Sequence, residues 1–302
     1  MMKLGMIGLD TSHVSHLSKV FNDSANPFHV SDMMVTKAFP GGSASFSLSV
    51  SRLDKFTAEL AGRGIEMVGS IQELGGLDGF LLESVDGTQH LEQFRQLAPF
   101  GKPVFIDKPL ACSYDDAKAI CDLSRESGTP FFTASSLRYA PGVADLCPEG
   151  EKIVSVEAFG PMDILSDYRD YFWYGIHTAE TLYAYLGQGC QSVEALSRGD
   201  IELLVGTWRD GRVGLCAGNR AGGYKFGARV LTDKDQHAST LNTMESYMKA
   251  LAKNMAEFFR TGVSPVPVEE SLEVIAFLEA ASRSRAHGGK PVALAEIQGG
   301  RP

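Results

Sequence analysis

The sequence near the start of the chain, Lys3-Leu4-Gly5-Met6-Ile7-Gly8-Leu9-Asp10-Thr11-Ser12-His13, indicates the fold. Its apolar first half predicts a buried strand over residues 3–8. The residues after the turn predict a helix over 13–21, because apolar side chains recur there at helical spacing. A strand that enters a helix through a glycine turn is the first unit of a doubly wound α/β domain.

The same alternation continues to about residue 135. Further strands are predicted at 33–39, 66–68, 79–83, 104–106 and 130–133, and helices at 52–61, 90–97 and 114–126. Continuous apolar strands separated by helices are typical of a parallel sheet that is covered on both faces. Residues 1–135 are therefore predicted to form a Rossmann-type α/β domain that binds a dinucleotide.

The pattern changes after about residue 151. Strands follow one another closely at 153–159, 192–197, 202–208, 213–217 and 226–232, and Asp210-Gly211 predicts a tight hairpin between two of them. Helices are predicted at 177–186, 243–260 and 269–286. Residues 136–302 are thus predicted to form an α+β domain with a large, mostly antiparallel open sheet, which takes part in substrate binding.

Composition excludes several classes of protein. The 302 residues fit two domains, and the net charge of −9 argues against a nucleic-acid partner. The apolar runs are too short for a membrane span or a signal peptide. Five cysteines without metal spacing indicate a reducing, cytoplasmic location, with most of them buried as small apolar residues. The 32 glycines are more than usual for this length, which suggests a glycine-rich cofactor loop.

The turn after the first strand keeps only part of the dinucleotide fingerprint. The pattern G-x-G-x-x-G falls on Gly8, Asp10 and His13, so only the first glycine is present. Asp10 at a helix N-terminus would cap the amides that a phosphate uses, and would repel the phosphate. Thr11 and Ser12 still offer hydroxyl groups. Cofactor binding and a plain capped turn are both open at this loop.

The second strand lacks the acidic residue that usually binds the adenosine ribose. It ends in Phe39-Pro40-Gly41-Gly42-Ser43. Adjacent glycines beside a serine present backbone amides to an anion such as a ribose 2′-phosphate, but they also suit an ordinary turn. The choice between NAD and NADP stays open.

The segment Gly101-Lys102-Pro103-Val104-Phe105-Ile106-Asp107-Lys108-Pro109-Leu110-Ala111 resembles the Glu-Lys-Pro signature of the glucose–fructose oxidoreductase / inositol dehydrogenase (Gfo/Idh/MocA) family, with Asp in place of Glu. Three further segments resemble the family in order and spacing: Glu83-Ser84-Val85-Asp86-Gly87-Thr88-Gln89-His90, Arg138-Tyr139-Ala140-Pro141 and Gly175-Ile176-His177-Thr178-Ala179-Glu180. The resemblance covers nearly the whole chain.

This resemblance implies an NAD(P)-dependent oxidoreductase that transfers a hydride between nicotinamide and a sugar, polyol or sugar derivative. It implies that Lys108 and His177 face each other across an interdomain cleft and transfer the hydroxyl proton. It also implies a homodimer or homotetramer that assembles through the sheet of residues 136–302. The expected cofactor-binding residues are Gly8, Asp10, Thr11, Ser12, His13, Pro40, Gly42, Ser43, Ser84, His90, Asp107, Lys108 and Pro109.

One departure from the family lies before His177. The family commonly has an aspartate four residues earlier, where this chain has Trp173. Glu180, one helical turn after His177, is the nearest replacement and is predicted as a third catalytic residue. The expected substrate contacts are Arg138, Asp170, Trp173 and Tyr174, although Arg138 is equally suited to bracing the domain junction.

The sequence is also compatible with two other functions. A non-redox metal enzyme, an isomerase or lyase, would use His177 and Glu180 as ligands, which supply only two positions of a metal shell. A binding protein would keep the fold without cofactor chemistry, which is compatible with the altered fingerprint in the loop after the first strand. The oxidoreductase hypothesis itself assigns no metal ligands.

Overall fold

A computed structural model describes residues 1–223, 225–241 and 244–299, with the backbone alone for 244–246. The chain divides into two compact units. The first comprises Met1–Ala134 and Met248–Val268, and the second comprises Ser135–Tyr247 and the chain from Glu269 onward. The first division lies within one residue of the expected boundary. The return of residues 248–268 to the first unit differs from the expected two continuous domains.

The first unit contains a six-stranded sheet in the order β3-β2-β1-β4-β5-β6, and every neighbouring pair is parallel. Its strands are β1 (Met2–Ile7), β2 (Met33–Phe39), β3 (Glu66–Met67), β4 (Gly79–Leu82), β5 (Val104–Ile106) and β6 (Phe131–Thr133). Its helices are α1 (Ser12–Asn22), α2 (Ser47–Gly62), α3 (His90–Leu97) and α4 (Tyr114–Ser127). The predicted Rossmann-type arrangement is confirmed.

Local sequence explains these elements. All residues of β4 and β5 are buried, as expected for strands covered on both faces. Ser113 caps α4 by accepting a hydrogen bond from the backbone N–H of Asp116, and the helix ends at left-handed Gly128. Helix α2 begins five residues earlier than predicted, at Ser47, because its first turn has neither a side-chain cap nor an apolar repeat to mark it.

Helix α6 (Met244–Thr261) ends inside the first unit because its aromatic residues pack there. The ring of Phe258 lies 5.7 Å from that of Phe132 on β6. Phe259 covers Gly79, where an added Cβ would lie 2.8 Å from its ring. Arg260 pairs with Asp32 through two hydrogen bonds of 2.8 Å. The sequence did not predict these long-range contacts.

The second unit contains a seven-stranded sheet in the order β12-β11-β7-β10-β9-β8-β13. Only β7 and β10 are parallel neighbours; the other pairs are antiparallel. The strands are β7 (Ile153–Pro161), β8 (Cys190–Arg198), β9 (Ile201–Trp208), β10 (Val213–Asn219), β11 (Gly227–Thr232), β12 (Gln236–Thr240) and β13 (Val292–Ala293). The predicted antiparallel pair around Asp210-Gly211 is confirmed, whereas β12 and β13 were not predicted.

Two helices, α5 (Gly175–Leu186) and α7 (Val268–Ala286), pack on one face of this sheet, and short α8 (Leu294–Ile297) follows. Glycines let them approach closely. A Cβ on Gly214 would lie 2.8 Å from Leu182 of α5, and a Cβ on Gly206 would lie 2.8 Å from Phe277 of α7. Part of the glycine excess therefore serves helix–sheet packing in the second unit.

Four of the five cysteines are buried and Cys147 is partly exposed, as the sequence predicted. Among the described residues, no helix is both long enough and apolar enough to span a membrane.

Candidate functional site

The first unit brings three loops to the carboxyl edge of its sheet. The order of strands reverses between β1 and β4, and ligands of doubly wound sheets bind in the crevice at such a reversal. The loops after β1, β4 and β5 carry most of the residues that the sequence predicts for cofactor binding.

Gly8 is required at its position for two independent reasons. Its φ of +83° lies in the left-handed region. An added Cβ would also lie 2.3 Å from the backbone nitrogen of Ser84. The glycine therefore lets the loop after β1 pass directly against the loop after β4.

Asp10 points into the protein and does not cap helix α1. It is fully buried and accepts hydrogen bonds from the backbone N–H of Val85 at 2.9 Å and from the Ser49 hydroxyl at 2.6 Å. Burial raises its pKa. Thr11 is the N-cap instead, Ser12 is exposed, and the first turn has no acidic residue. Asp10 therefore does not occupy the backbone amides at the start of α1 that a phosphate would use.

The turn after β2 is joined to the loop after β4. The Ser43 hydroxyl donates to Asp86 at 2.6 Å, and its backbone N–H donates to Ser49 at 2.7 Å. Gln89 donates to the carbonyl of Gly42 at 3.0 Å. The hydroxyl and the backbone N–H of Ser43 are thus both engaged within the protein. Pro40 and Gly42 stay partly exposed beside it.

His90 connects the loops after β4 and β5. It is fully buried, with Nδ1 3.0 Å from the carbonyl oxygen of Pro109 and Nε2 2.8 Å from that of Ser84. Both ring nitrogens face backbone carbonyls, so this side chain positions the loops. The Ser84 hydroxyl is buried without a hydrogen-bond partner.

Four ionisable side chains, His13, Glu83, Asp107 and Lys108, form a polar cluster at this edge. His13 Nδ1 lies 2.9 Å from Asp107 Oδ2. Burial, with the nearby charge of Asp107, raises the pKa of Glu83 well above its usual range. Burial opposes ionisation of Asp107 as well, but His13 and Lys108 outweigh it and lower that pKa. Burial also lowers the pKa of Lys108, which shifts its amine toward the neutral form.

The second unit surrounds His177 with aromatic rings. The imidazole Nδ1 lies 2.7 Å from the Ser135 hydroxyl. The Tyr174 and Phe226 rings lie 5.8 and 5.4 Å from the imidazole, and Trp173 contacts Tyr174 edge-on at 5.5 Å. Two of the expected substrate contacts, Trp173 and Tyr174, therefore belong to the group of aromatic rings around His177.

Two carboxylates predicted for this part of the site are paired with arginines. Glu180 accepts from Arg138 at 2.7 Å, and Arg138 also lies 2.7 Å from Glu270. Burial raises the pKa of Glu180, and the Arg138 charge only partly opposes the rise. Asp170 pairs with Arg285 at 2.9 Å. These pairings favour the bracing role for Arg138 over substrate contact, and they engage the carboxylate that a His177–Glu180 metal site would use.

Sequence reasoning missed several members of these groups. Glu83 is one of them, although a carboxylate directly after the apolar run Phe80-Leu81-Leu82 is itself a signal of a buried polar group. Ser135 and Phe226 lie far from His177 in sequence, so only tertiary structure places them beside it.

No protein-family model and no curated protein matches the chain. Solved structures match its fold over nearly the whole length. GenD2 from gentamicin A biosynthesis, in complex with NAD, is 16% identical with a TM-score of 0.77, and 97% of this chain and 96% of that chain are covered. The myo-inositol dehydrogenase from Lactobacillus casei, in complex with NAD(H) and myo-inositol, is 15% identical with a TM-score of 0.72, at 97% and 96% coverage.

An oxidoreductase from Agrobacterium radiobacter, in complex with NAD+, L-tartaric acid and magnesium, is 15% identical with a TM-score of 0.71, at 98% and 99% coverage. At these identities the likeness concerns the fold. The chain has the two-domain fold of Gfo/Idh/MocA-type dehydrogenases, as its sequence resemblance predicted.

Proposed function

We propose that this chain is a divergent member of the Gfo/Idh/MocA family and an NAD(P)-dependent oxidoreductase of a sugar, polyol or sugar derivative. The observation that carries the proposal is the place of Lys108, which is 8% exposed and follows β5 at the carboxyl edge of the parallel sheet. The solved structures that share this fold include dehydrogenases with bound NAD.

The loop after β1 fits a dinucleotide in spite of its altered fingerprint. Asp10 is turned inward onto Val85 and Ser49, and the first turn of α1 carries no acidic residue. A helix N-terminus without an acidic side chain in its first turn suits a pyrophosphate. Gly8, Thr11 and Ser12 are the residues that would hold it. The contacts of Ser43 leave NAD and NADP both open.

In this proposal Lys108 and His177 both take part in the transfer of the substrate's hydroxyl proton. When bound, the nicotinamide accepts or donates the hydride. Lys108 holds the substrate hydroxyl, and burial lowers its pKa, which favours the neutral amine that can take up the hydroxyl proton. Ser135 fixes the orientation of the His177 imidazole, and the neighbouring Tyr174 ring offers an apolar surface to a sugar.

Dinucleotide titration and turnover test this proposal together. We expect NADH or NADPH to bind with a dissociation constant in the micromolar range, and a panel of polyols to reveal a substrate. Lys108→Met should lower kcat by about a hundred-fold or more while the cofactor dissociation constant stays within about three-fold. The matched control is Lys102→Met at an exposed lysine six residues earlier. Failure of both dinucleotides to bind, or full turnover by Lys108→Met, would refute the proposal.

We also propose that the chain forms a homodimer or homotetramer through the second-unit sheet. Along its strands, fully buried residues such as Leu204 and Cys216 alternate with apolar residues on the opposite face. Leu196 and Leu231 are 44% and 41% exposed on that face. The face, which we call the open sheet face, comprises Leu196, Ile201, Leu203, Val205, Val213, Leu215 and Leu231. A second copy of the chain would cover it.

A further inference from the structure

Glu83 is a fully buried carboxyl group whose oxygens have no hydrogen-bond partner. Both Oε1 and Oε2 are without one, although the residue is 0% exposed directly after β4. Proteins rarely bury a carboxyl group in this way, because the lost hydration is not replaced. An orphaned carboxyl group at the ligand-binding edge of a sheet indicates that a partner is supplied from outside the chain.

Two further ligating groups converge on Glu83. One ligand atom each from His13, Glu83 and Asp107 all lie within 4.8 Å of one another. Asp107 is 2% exposed, and its Oδ1 also lacks a hydrogen-bond partner. The ends of β4 and β5 and the first turn of α1 therefore bring three donors together, with three oxygens that lack a hydrogen-bond partner among them. Among the residues that the structure describes, this is the one group of three or more such side chains.

The donor set identifies the chemistry of the partner. Two carboxylates and one imidazole balance the charge of a divalent cation. An imidazole nitrogen with carboxylate oxygens suits first-row cations such as Mn2+ and Zn2+. Three protein ligands leave coordination positions open, as catalytic metal sites do and closed structural sites do not.

We propose that His13, Glu83 and Asp107 hold one divalent transition-metal cation at the carboxyl edge of the first-unit sheet. The open coordination positions would take an oxygen ligand, such as water or a hydroxyl of a bound small molecule. The site differs from the His177–Glu180 metal site considered from sequence, and all its ligands belong to one compact unit.

Lys108 is the competing counter-charge for the two carboxylates. It follows Asp107 directly in the chain and is itself only 8% exposed. If the carboxylates bind a cation, removal of the lysine charge should tighten binding, because like charges repel. If they serve only as counter-ions of Lys108, Lys108→Met should create no cation affinity.

The test is a Mn2+ titration of the full chain after dialysis against a chelator, with neither cofactor nor substrate present. The EPR signal of free Mn2+ reports binding, and Zn2+ serves as the competitor. We expect one equivalent of Mn2+ per chain, displaced by Zn2+. Glu83→Gln and His13→Asn should each weaken binding at least ten-fold, and Lys108→Met should strengthen it. The matched control, His16→Asn, changes another histidine of α1 and should bind as the unaltered chain does.

Absence of saturable Mn2+ and Zn2+ binding would overturn the proposal, and so would unaltered binding by Glu83→Gln and His13→Asn. Circular dichroism verifies that each variant is folded. His13 is 18% exposed, so His13→Asn still tests the site if Glu83→Gln fails to fold. Because dinucleotides are left out of the titration, failure of cation binding and failure of the proposed dehydrogenase function are distinguished.

Discussion

Arg138 and Glu180 form a buried ion pair in the second unit, with Arg138 Nε donating to Glu180 Oε2 at 2.7 Å. Their side chains are only 9% and 4% exposed. Arg138 also contacts Glu270, so one guanidinium holds α5 and α7 to the short turn that contains Arg138. A carboxylate engaged in this way is poorly placed to act as the proton acceptor that the sequence suggested for Glu180.

Glu180→Gln should therefore destabilise the protein more than it slows turnover. Breaking a buried ion pair costs about 3–5 kcal/mol, and we expect the lower end because Glu270 still faces Arg138. Urea unfolding followed by tryptophan fluorescence measures the change. Glu279→Gln, which breaks an exposed pair with Arg283, is the control and should cost less than about 1 kcal/mol. Unchanged stability with a hundred-fold loss of kcat would restore Glu180 as a catalytic residue.

Gly8→Ala should unfold the protein or destabilise it severely. The added Cβ would lie 2.3 Å from the backbone nitrogen and 2.4 Å from the Cα of Ser84, so the backbone of one loop would have to shift. Gly64→Ala is a matched control, because Gly64 has a similar φ of +81° but open space around it. The left-handed conformation alone should cost about 1–2 kcal/mol there. Equal thermal shifts in the two variants would contradict the close approach of the two loops.

Asp10→Gly should lower the stability of the protein, although it restores the second glycine of the G-x-G-x-x-G fingerprint. The change removes the acceptor of the Val85 N–H and of the Ser49 hydroxyl. A buried donor left without its partner costs about 1–3 kcal/mol. We expect a lower midpoint in urea and no gain in NADH affinity, measured by fluorescence titration. Tighter NADH binding at unaltered stability would show that Asp10 obstructs the cofactor.

Leu196→Lys should shift the protein toward monomers without unfolding it. The side chain is 44% exposed on the open sheet face, so a single chain tolerates the lysine, whereas a second copy packed on that face would bury its charge. Light scattering coupled to size-exclusion chromatography measures the mass. Val263→Lys is the control, since Val263 is 70% exposed but lies in the first unit. A monomeric unaltered chain would contradict the proposed assembly.

The parallel sheet could be predicted from sequence because its strands are continuous apolar runs. The segments Phe80-Leu81-Leu82 and Val104-Phe105-Ile106 are buried on both faces, and such runs need no knowledge of their partners. Short β12 and β13 lack this signal, because the first alternates between exposed and partly buried residues and the second has two residues. Their strand character depends on neighbours that are distant in sequence.

The sequence by itself determined the order of the longer strands and helices, the Gly8 turn and the presence of Lys108 after β5, since each depends on residues close together in the chain. Only the tertiary structure decided the direction of Asp10, the pairing of Glu180 with Arg138 and the convergence of His13, Glu83 and Asp107. The physical reason is separation: His13 and Asp107 meet at 2.9 Å across 94 residues. Contacts of that kind depend on how the strands pack side by side, and local sequence does not predict them.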